Sequence, residues 1–115
     1  MIPVENSTPP WGTWEVLLET SYCKVKRIIV KPGCRLSYQK HLKRQELWNV
    51  VQGVATVVLN DQTTIHNEGD VISIPKQAAH RLGNFGTKDL IIIEIQRGEY
   101  FGEDDIIRIE DDYQR

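Results

Sequence analysis

The chain has no apolar run longer than the four residues Leu90 to Ile93, far short of the roughly 20 that a membrane-crossing helix needs. No helical membrane span is expected. Met1 to Pro10 lacks the basic start and apolar stretch of a secretory leader, which makes the cytoplasm the expected location. Cysteine is scarce: Cys23 and Cys34 stand in no metal-ligand spacing, and a bridge between them would close only a short loop. Both are read as reduced thiols. No stretch of ten residues competes as a helix, and there is no internal repeat or low-complexity tract. No Gly-rich phosphate loop precedes a helix, and 115 residues leave no room for a further nucleotide-binding α/β domain.

What is present, at 40% hydrophobic and 26% charged, is the profile of one ordinary domain. A chain of this length should bury roughly two thirds of the surface its unfolded form exposes, enough for a core without disulfide or metal staples. A bound metal would then be functional. We place the domain at 11–115, behind an unstructured lead-in over 1–10.

Fourteen basic and sixteen acidic residues leave a net charge of −2, but the signs are unevenly placed. Lys24, Lys26, Arg27, Lys31, Arg35, Lys40, Lys43 and Arg44 supply eight cations with no acid among them, whereas Glu99 to Arg115 carries seven acids against two bases. The basic middle suits an anionic ligand, and the acidic tail argues against a nucleic-acid binder. Short β-branched runs recur at 13–18, 24–30, 36–41, 47–51, 55–59, 63–66, 70–74, 80–83 and 90–96, the spacing of an all-β sandwich or barrel. Pro32-Gly33, Gln52-Gly53, Asn60-Asp61, Glu68-Gly69 and Phe85-Gly86 supply the turns. Between Glu103 and Tyr113 isoleucines stand at helix-like spacing, so this segment is read as a short helix or an extended tail lying on the barrel.

Two linked spacings carry chemistry. From Gly33, five residues lead to Gln39, one to His41, four to Glu46 and six to Gly53; from Gly69, five lead to Pro75, four to His80 and three to Asn84. Residues two apart on a strand face the same side, so Gln39 and His41 both point inward, with Glu46 on the partner strand and His80 on a later one. A barrel gathers such strands around one interior and offers a divalent metal two imidazoles, a carboxylate and an amide oxygen, with positions left open for substrate.

These runs resemble the two motifs of the cupin superfamily, G-x5-H-x-H-x3-4-E-x6-G and G-x5-P-x-G-x2-H-x3-N. Gln39 stands where most cupins carry the first His, and Gln77 where the second motif has Gly. From Pro10 to Arg115 the chain is similar to the C-terminal domain of type II mannose-6-phosphate isomerases, which in many bacteria is fused to a mannose-1-phosphate guanylyltransferase. The likeness rests on Pro10-Trp11-Gly12, Lys24-Val25-Lys26-Arg27-Ile28, Pro32-Gly33, Leu36-Ser37, Gln39, His41, Arg44, Glu46, Trp48, Val50-Val51, His80-Arg81-Leu82 and Glu103-Asp104-Asp105-Ile106. Gln at the first ligand position is usual in that family. The chain departs from the family at Leu42, Lys43 and Leu47, where His is common, and at Gln114, which separates Tyr113 from Arg115.

The resemblance implies a single-domain all-β cupin, a double-stranded β-helix barrel. It also implies a metal-dependent aldose-ketose isomerase that interconverts mannose 6-phosphate and fructose 6-phosphate through an enediol. Gln39, His41, Glu46 and His80 are then the ligands of one divalent metal, expected to be Zn, although Mn, Co, Ni or Fe(II) accept the same donors. Arg44, with Lys43, is the expected phosphate anchor, because the four-residue link between His41 and Glu46 holds both near the rim; Lys26 and Arg27 are fallback anchors. Glu94, which interrupts the apolar run from Leu90 to Ile95, is the expected proton-transfer base, with Lys26 the second candidate. Trp11, Trp14 and Trp48 read as packing, with Trp48 flanking the site. A homodimer is expected, as small cupins often pair their barrels, and a separately encoded guanylyltransferase is a partner to test for. Two other readings stay open: an Fe(II) cupin oxygenase built on His41, Glu46 and His80, and a metal-containing cupin that binds a phosphosugar without turning it over.

Overall fold

The computed structural model describes residues 5–114; the first four residues of the lead-in, and Arg115 at the end of the domain, lie outside the described residues. The described residues contain twelve strands and no helix: β1 (Asn6–Ser7), β2 (Gly12–Glu19), β3 (Lys24–Val30), β4 (Cys34–Arg35), β5 (Tyr38–Lys40), β6 (Arg44–Gln52), β7 (Ala55–Leu59), β8 (Gln62–His66), β9 (Val71–Ile74), β10 (His80–Asn84), β11 (Leu90–Gly98) and β12 (Ile107–Glu110). All pairings are antiparallel. They make one sheet in the order β1-β2-β3-β11-β6-β9 and a second in the order β12-β5-β10-β7-β8, with β4 also on β10. The two cysteines are free.

The inner face of the first sheet changes character along its strands. On β3 the inward residues run Lys24, Lys26, Ile28, Val30; on β11 they run, in the opposite direction, Gln96, Glu94, Ile92, Leu90; on β6 they run Arg44, Glu46, Trp48, Val50. The register sets Gln96 between Lys24 and Glu46, Glu94 between Lys26 and Trp48, and Ile92 between Ile28 and Val50. Strict alternation therefore collects the apolar residues at one end of the interior, where Ala55, Val57 and Leu82 of the second sheet meet them. The buried polar residues collect at the other end.

Two turn positions explain how strands are placed to do this. Asn60 and Asp61 have φ of 47° and 68°, and they close the β7–β8 hairpin as a two-residue loop between the paired Leu59 and Gln62. Gln77 has φ of 66°, the left-handed region that the Gly of the second cupin motif would occupy without strain. Its N–H donates to the His41 carbonyl at 2.8 Å, so the turn before His80 is clipped to the segment carrying His41. Replacing Gln77 by Gly should stabilise the chain by about 0.5–1 kcal/mol, the left-handed penalty less the entropy of Gly, and raise Tm by about 2–5 °C in a thermal melt.

Several expectations are corrected by the fold. The lead-in is structured in part: Asn6 and Ser7 pair with Glu15 and Trp14 as an edge strand. The expected strand 36–41 shortens to β5 at Tyr38–Lys40, with the separate short strand β4 just before it, and the expected strand 47–51 starts earlier, at Arg44. No helix forms over 103–113. Ile107 and Ile109 alternate at strand period and stay 42% and 53% exposed, so apolar burial does not fix this segment. Edge pairing with β5 and the Arg81 guanidinium fix it instead, Nη1 donating to Glu110 Oε1 at 2.8 Å and Nη2 to the Glu110 carbonyl at 3.2 Å. The extended-tail alternative is the one the structure adopts.

Candidate functional site

At the polar end of the interior, β6 contributes Arg44, Glu46 and Trp48, β11 contributes Glu94, β3 contributes Lys26, β5 contributes Gln39 and β10 contributes His80, while His41 follows β5 directly. Each is at least nine-tenths buried. Gln39 and His80 are register partners, which brings the first motif against the second. The candidate ligand atoms of His41, Glu46 and His80 all lie within 4.8 Å of one another. Glu46 Oε2 is 3.2 Å from His41 Nε2, and its Oε1 is 3.8 Å from His80 Nε2.

The hydrogen bonds behind the two rings decide which nitrogen faces the carboxylate with a lone pair. His41 Nδ1 lies 2.5 Å from the Asp105 carbonyl, and His80 Nδ1 lies 3.0 Å from the Ala78 carbonyl. A carbonyl only accepts, so Nδ1 carries the proton in each ring and Nε2 is left with its lone pair toward Glu46. Burial and the Arg44 charge hold the His41 imidazole down to about 4, so it is neutral at physiological pH, as a ligand must be. Glu46 sits below the usual carboxylate range although burial pushes it up, because the His80 ring in its protonated form and the Arg44 guanidinium stabilise its charge. Gln39 directs its amide Nε2 at Ser37 Oγ, 2.9 Å away, which leaves the amide oxygen as the atom it could offer a metal. This donor set, two imidazoles, an ionised carboxylate and an amide oxygen, fits zinc or another divalent first-row metal.

Trp48 ties the ligand to the expected base. Its single indole N–H is shared between Glu46 Oε1 at 3.0 Å and Glu94 Oε2 at 3.1 Å, and Gln96 Nε2 donates to Glu94 Oε1 at 2.6 Å. Burial, and then the neighbouring Glu46 charge, push the Glu94 carboxyl up to about 7. The pair is thus split, one carboxylate held ionised and one brought near neutrality, the arrangement that divides electrostatic from proton-transfer roles.

The cations lie elsewhere than the link suggested. Arg44 is the first residue of β6 and alternates inward with Glu46, so it lies inside the cavity: Nε donates to Glu46 Oε2 at 3.0 Å, Nη2 is 3.2 Å from His41 Nε2, and Nη1 is buried without a partner. Lys43 is exposed, with its ammonium 5.2 Å from the Tyr100 ring centre. Arg27 points to the outer face and pairs with Glu15. Lys26 lines the cavity, 2.7 Å from Glu103 Oε2 and 4.1 Å from the Trp14 ring centre. Burial pushes Glu103 up, but Lys26 and Arg44 more than offset that and keep it ionised. Glu103 and Asp105 enter the site from a segment 77 and 64 residues away from their partners Lys26 and His41. Only the match of Glu103-Asp104-Asp105-Ile106 to a family pattern marks them in the sequence.

Comparison with known proteins bears on the whole chain. The family described as "Mannose-6-phosphate isomerase C-terminal" matches residues 4–111. A protein named mannose-1-phosphate guanylyltransferase from Sinorhizobium fredii is 47% identical over 103 residues, covering 90% of this chain and 20% of that protein. The alginate biosynthesis protein AlgA of Pseudomonas aeruginosa is 47% identical over 106 residues, covering 92% of this chain and 22% of the relative. The chain thus spans about a fifth of the length of these relatives. A Klebsiella pneumoniae protein with a double-stranded β-helix domain superposes with a TM-score of 0.73 at 24% identity, over 83% of this chain and 76% of that one, which shows the cupin-type fold. No helix of the described residues is long and apolar enough to cross a membrane.

Proposed function

We propose, from the premise that this chain belongs to the mannose-6-phosphate isomerase C-terminal family, that its cavity interconverts mannose 6-phosphate and fructose 6-phosphate with the help of a divalent metal, most simply zinc. The observation that carries this reading is the meeting, in one buried cavity, of the His41, Glu46 and His80 ligand atoms with the Glu94 carboxyl raised to about 7. Relatives that bear the name mannose-1-phosphate guanylyltransferase fit a domain that acts on mannose phosphates.

His41, Glu46 and His80 would hold the metal, with the amide oxygen of Gln39 available as a fourth donor. A divalent cation bound there supplies Lewis-acid polarisation of the carbonyl of the open-chain sugar. Glu94 takes the proton from carbon 2, beside the carbonyl, and returns it to carbon 1, while the hydroxyl proton on carbon 2 passes to the oxygen of carbon 1, which exchanges aldose for ketose through an enediol. A carboxyl near 7 is present in both protonation states at physiological pH, so it can serve in either direction. The Trp48 N–H and the Gln96 amide fix the two Glu94 oxygens. Arg44, with a buried donor left over, steadies a sugar oxygen close to Glu46. Lys26, the ammonium on the cavity wall, receives the phosphate.

Fructose 6-phosphate formation from mannose 6-phosphate, followed by a coupled assay on chain stripped of metal and reloaded with Zn, Mn, Co, Ni or Fe(II), tests the reading. Turnover that depends on the metal is expected. Sugar-phosphate binding with no turnover under any metal would replace it with a binding module, and oxygen uptake with iron alone would replace it with an oxygenase. In the same assay Lys26→Met should raise KM for mannose 6-phosphate by about tenfold or more, the loss of one charge-assisted contact, with a smaller effect on kcat.

A further inference from the structure

We infer that Asp105 is the positioning residue of the candidate metal centre, holding the His41 ring and the whole link from His41 to Arg44 in place from a strap that crosses the mouth of the barrel. This rests on the metal-centre reading above.

Asp105 is 9% exposed; its N–H donates to the Gly102 carbonyl at 3.1 Å, and its carbonyl and carboxylate both turn to the link. Its carbonyl accepts the His41 Nδ1 proton at 2.5 Å. Its carboxylate accepts the N–H of Leu42 through Oδ1 and that of Lys43 through Oδ2, both at 3.0 Å. The next residue after those amides is Arg44, where β6 begins and from which Glu46 is two residues away. One side chain and its own carbonyl therefore satisfy three donors on successive residues 41, 42 and 43. This fixes the ring orientation of one ligand and the starting register of the strand that carries another.

The strap itself is clipped ahead of Asp105. The Phe101 carbonyl accepts from the buried Lys24 ammonium at 3.0 Å, Glu103 Oε2 accepts from Lys24 and Lys26 at 3.1 and 2.7 Å, and the Glu99 N–H donates to the Lys43 carbonyl at 3.0 Å. Held at these points, the carbonyl of Asp105 faces the His41 ring without needing to be drawn there by the metal. Hydrogen-bond partners behind a ligating His commonly change metal affinity by about 10–100-fold when lost. Asp104, the neighbour, faces outward to Tyr100 and serves as the control.

The test is a metal titration of the stripped chain, Zn(II) by chelator competition and Co(II) by its visible absorption, on wild type, Asp105→Ala, Asp105→Asn and Asp104→Asn. Asp105→Ala is expected to weaken binding by about 10–100-fold and to alter the Co(II) spectrum; Asp105→Asn, which keeps one acceptor oxygen, should lose less, and Asp104→Asn should match wild type. Wild-type affinity and spectrum in Asp105→Ala, or equal losses in Asp105→Ala and Asp104→Asn, would overturn the inference. A second measurement needs no metal: nitrogen NMR of the imidazoles should show His41 protonated on Nδ1 in wild type and a mixture of tautomers in Asp105→Ala, where the carboxylate no longer holds the carbonyl against the ring. A wild-type ring protonated on Nε2 would overturn the role of Asp105 directly. A chain that binds no metal would refute the metal-centre reading, and the tautomer result would still decide the role of Asp105.

Discussion

His80→Ala is expected to lower kcat for mannose 6-phosphate by about a thousandfold or more and to leave little metal bound after dialysis. His80 Nε2 faces Glu46 Oε1 at 3.8 Å with its lone pair, because Nδ1–H is committed to the Ala78 carbonyl. Without that ring the cavity keeps one imidazole and one carboxylate with only a weakly donating amide as the third, short of the three strong ligands of a catalytic zinc site. Lewis-acid help with a sugar carbonyl is worth several kcal/mol, and each 1.36 kcal/mol is about tenfold in rate, which sets the size of the loss. The measurement is kcat together with metal content by elemental analysis. An active variant that retains its metal would show that His80 is a core histidine.

Glu94→Gln should produce the second large loss, about 10²–10⁴-fold in kcat, with metal content unchanged. The substitution keeps the shape of the side chain, and its oxygen can still accept from Gln96, but no group remains to take the proton. A metal-loaded variant with low kcat and little change in KM would separate proton transfer from binding, because the ligand set is untouched. Metal lost along with activity would instead assign Glu94 to the ligand shell.

That His41, Glu46 and His80 turn to one interior was legible because alternation along a strand is rigid; the expected pairing of their strands was not, since β5 and β6 lie in different sheets and His41 stands just past β5. Glu94 was legible for the same reason, as a charge breaking an apolar run on a central strand. Arg44 was misplaced because Arg44-Gln45-Glu46 reads as a polar connection, whereas the chain begins β6 there and turns the guanidinium inward against Glu46. The β12 segment was ambiguous because its isoleucines fit two periods, and what selects the strand is Arg81 reaching Glu110 from 29 residues away. The role of Asp105 toward His41 left no trace in residue types, since the contact is through its backbone carbonyl. A local pattern can place a side chain on a face, but a partner brought by the strap depends on the closed barrel.

The central claim is that this cavity moves a proton between adjacent sugar carbons with the help of a bound metal. The most direct measurement follows mannose 6-phosphate carrying deuterium at carbon 2 by NMR in ordinary water, with zinc-loaded chain. Conversion to fructose 6-phosphate with part of the deuterium lost to solvent is expected, both disappearing in Glu94→Gln. Sugar phosphate that binds, keeps all its deuterium and stays unconverted would contradict it.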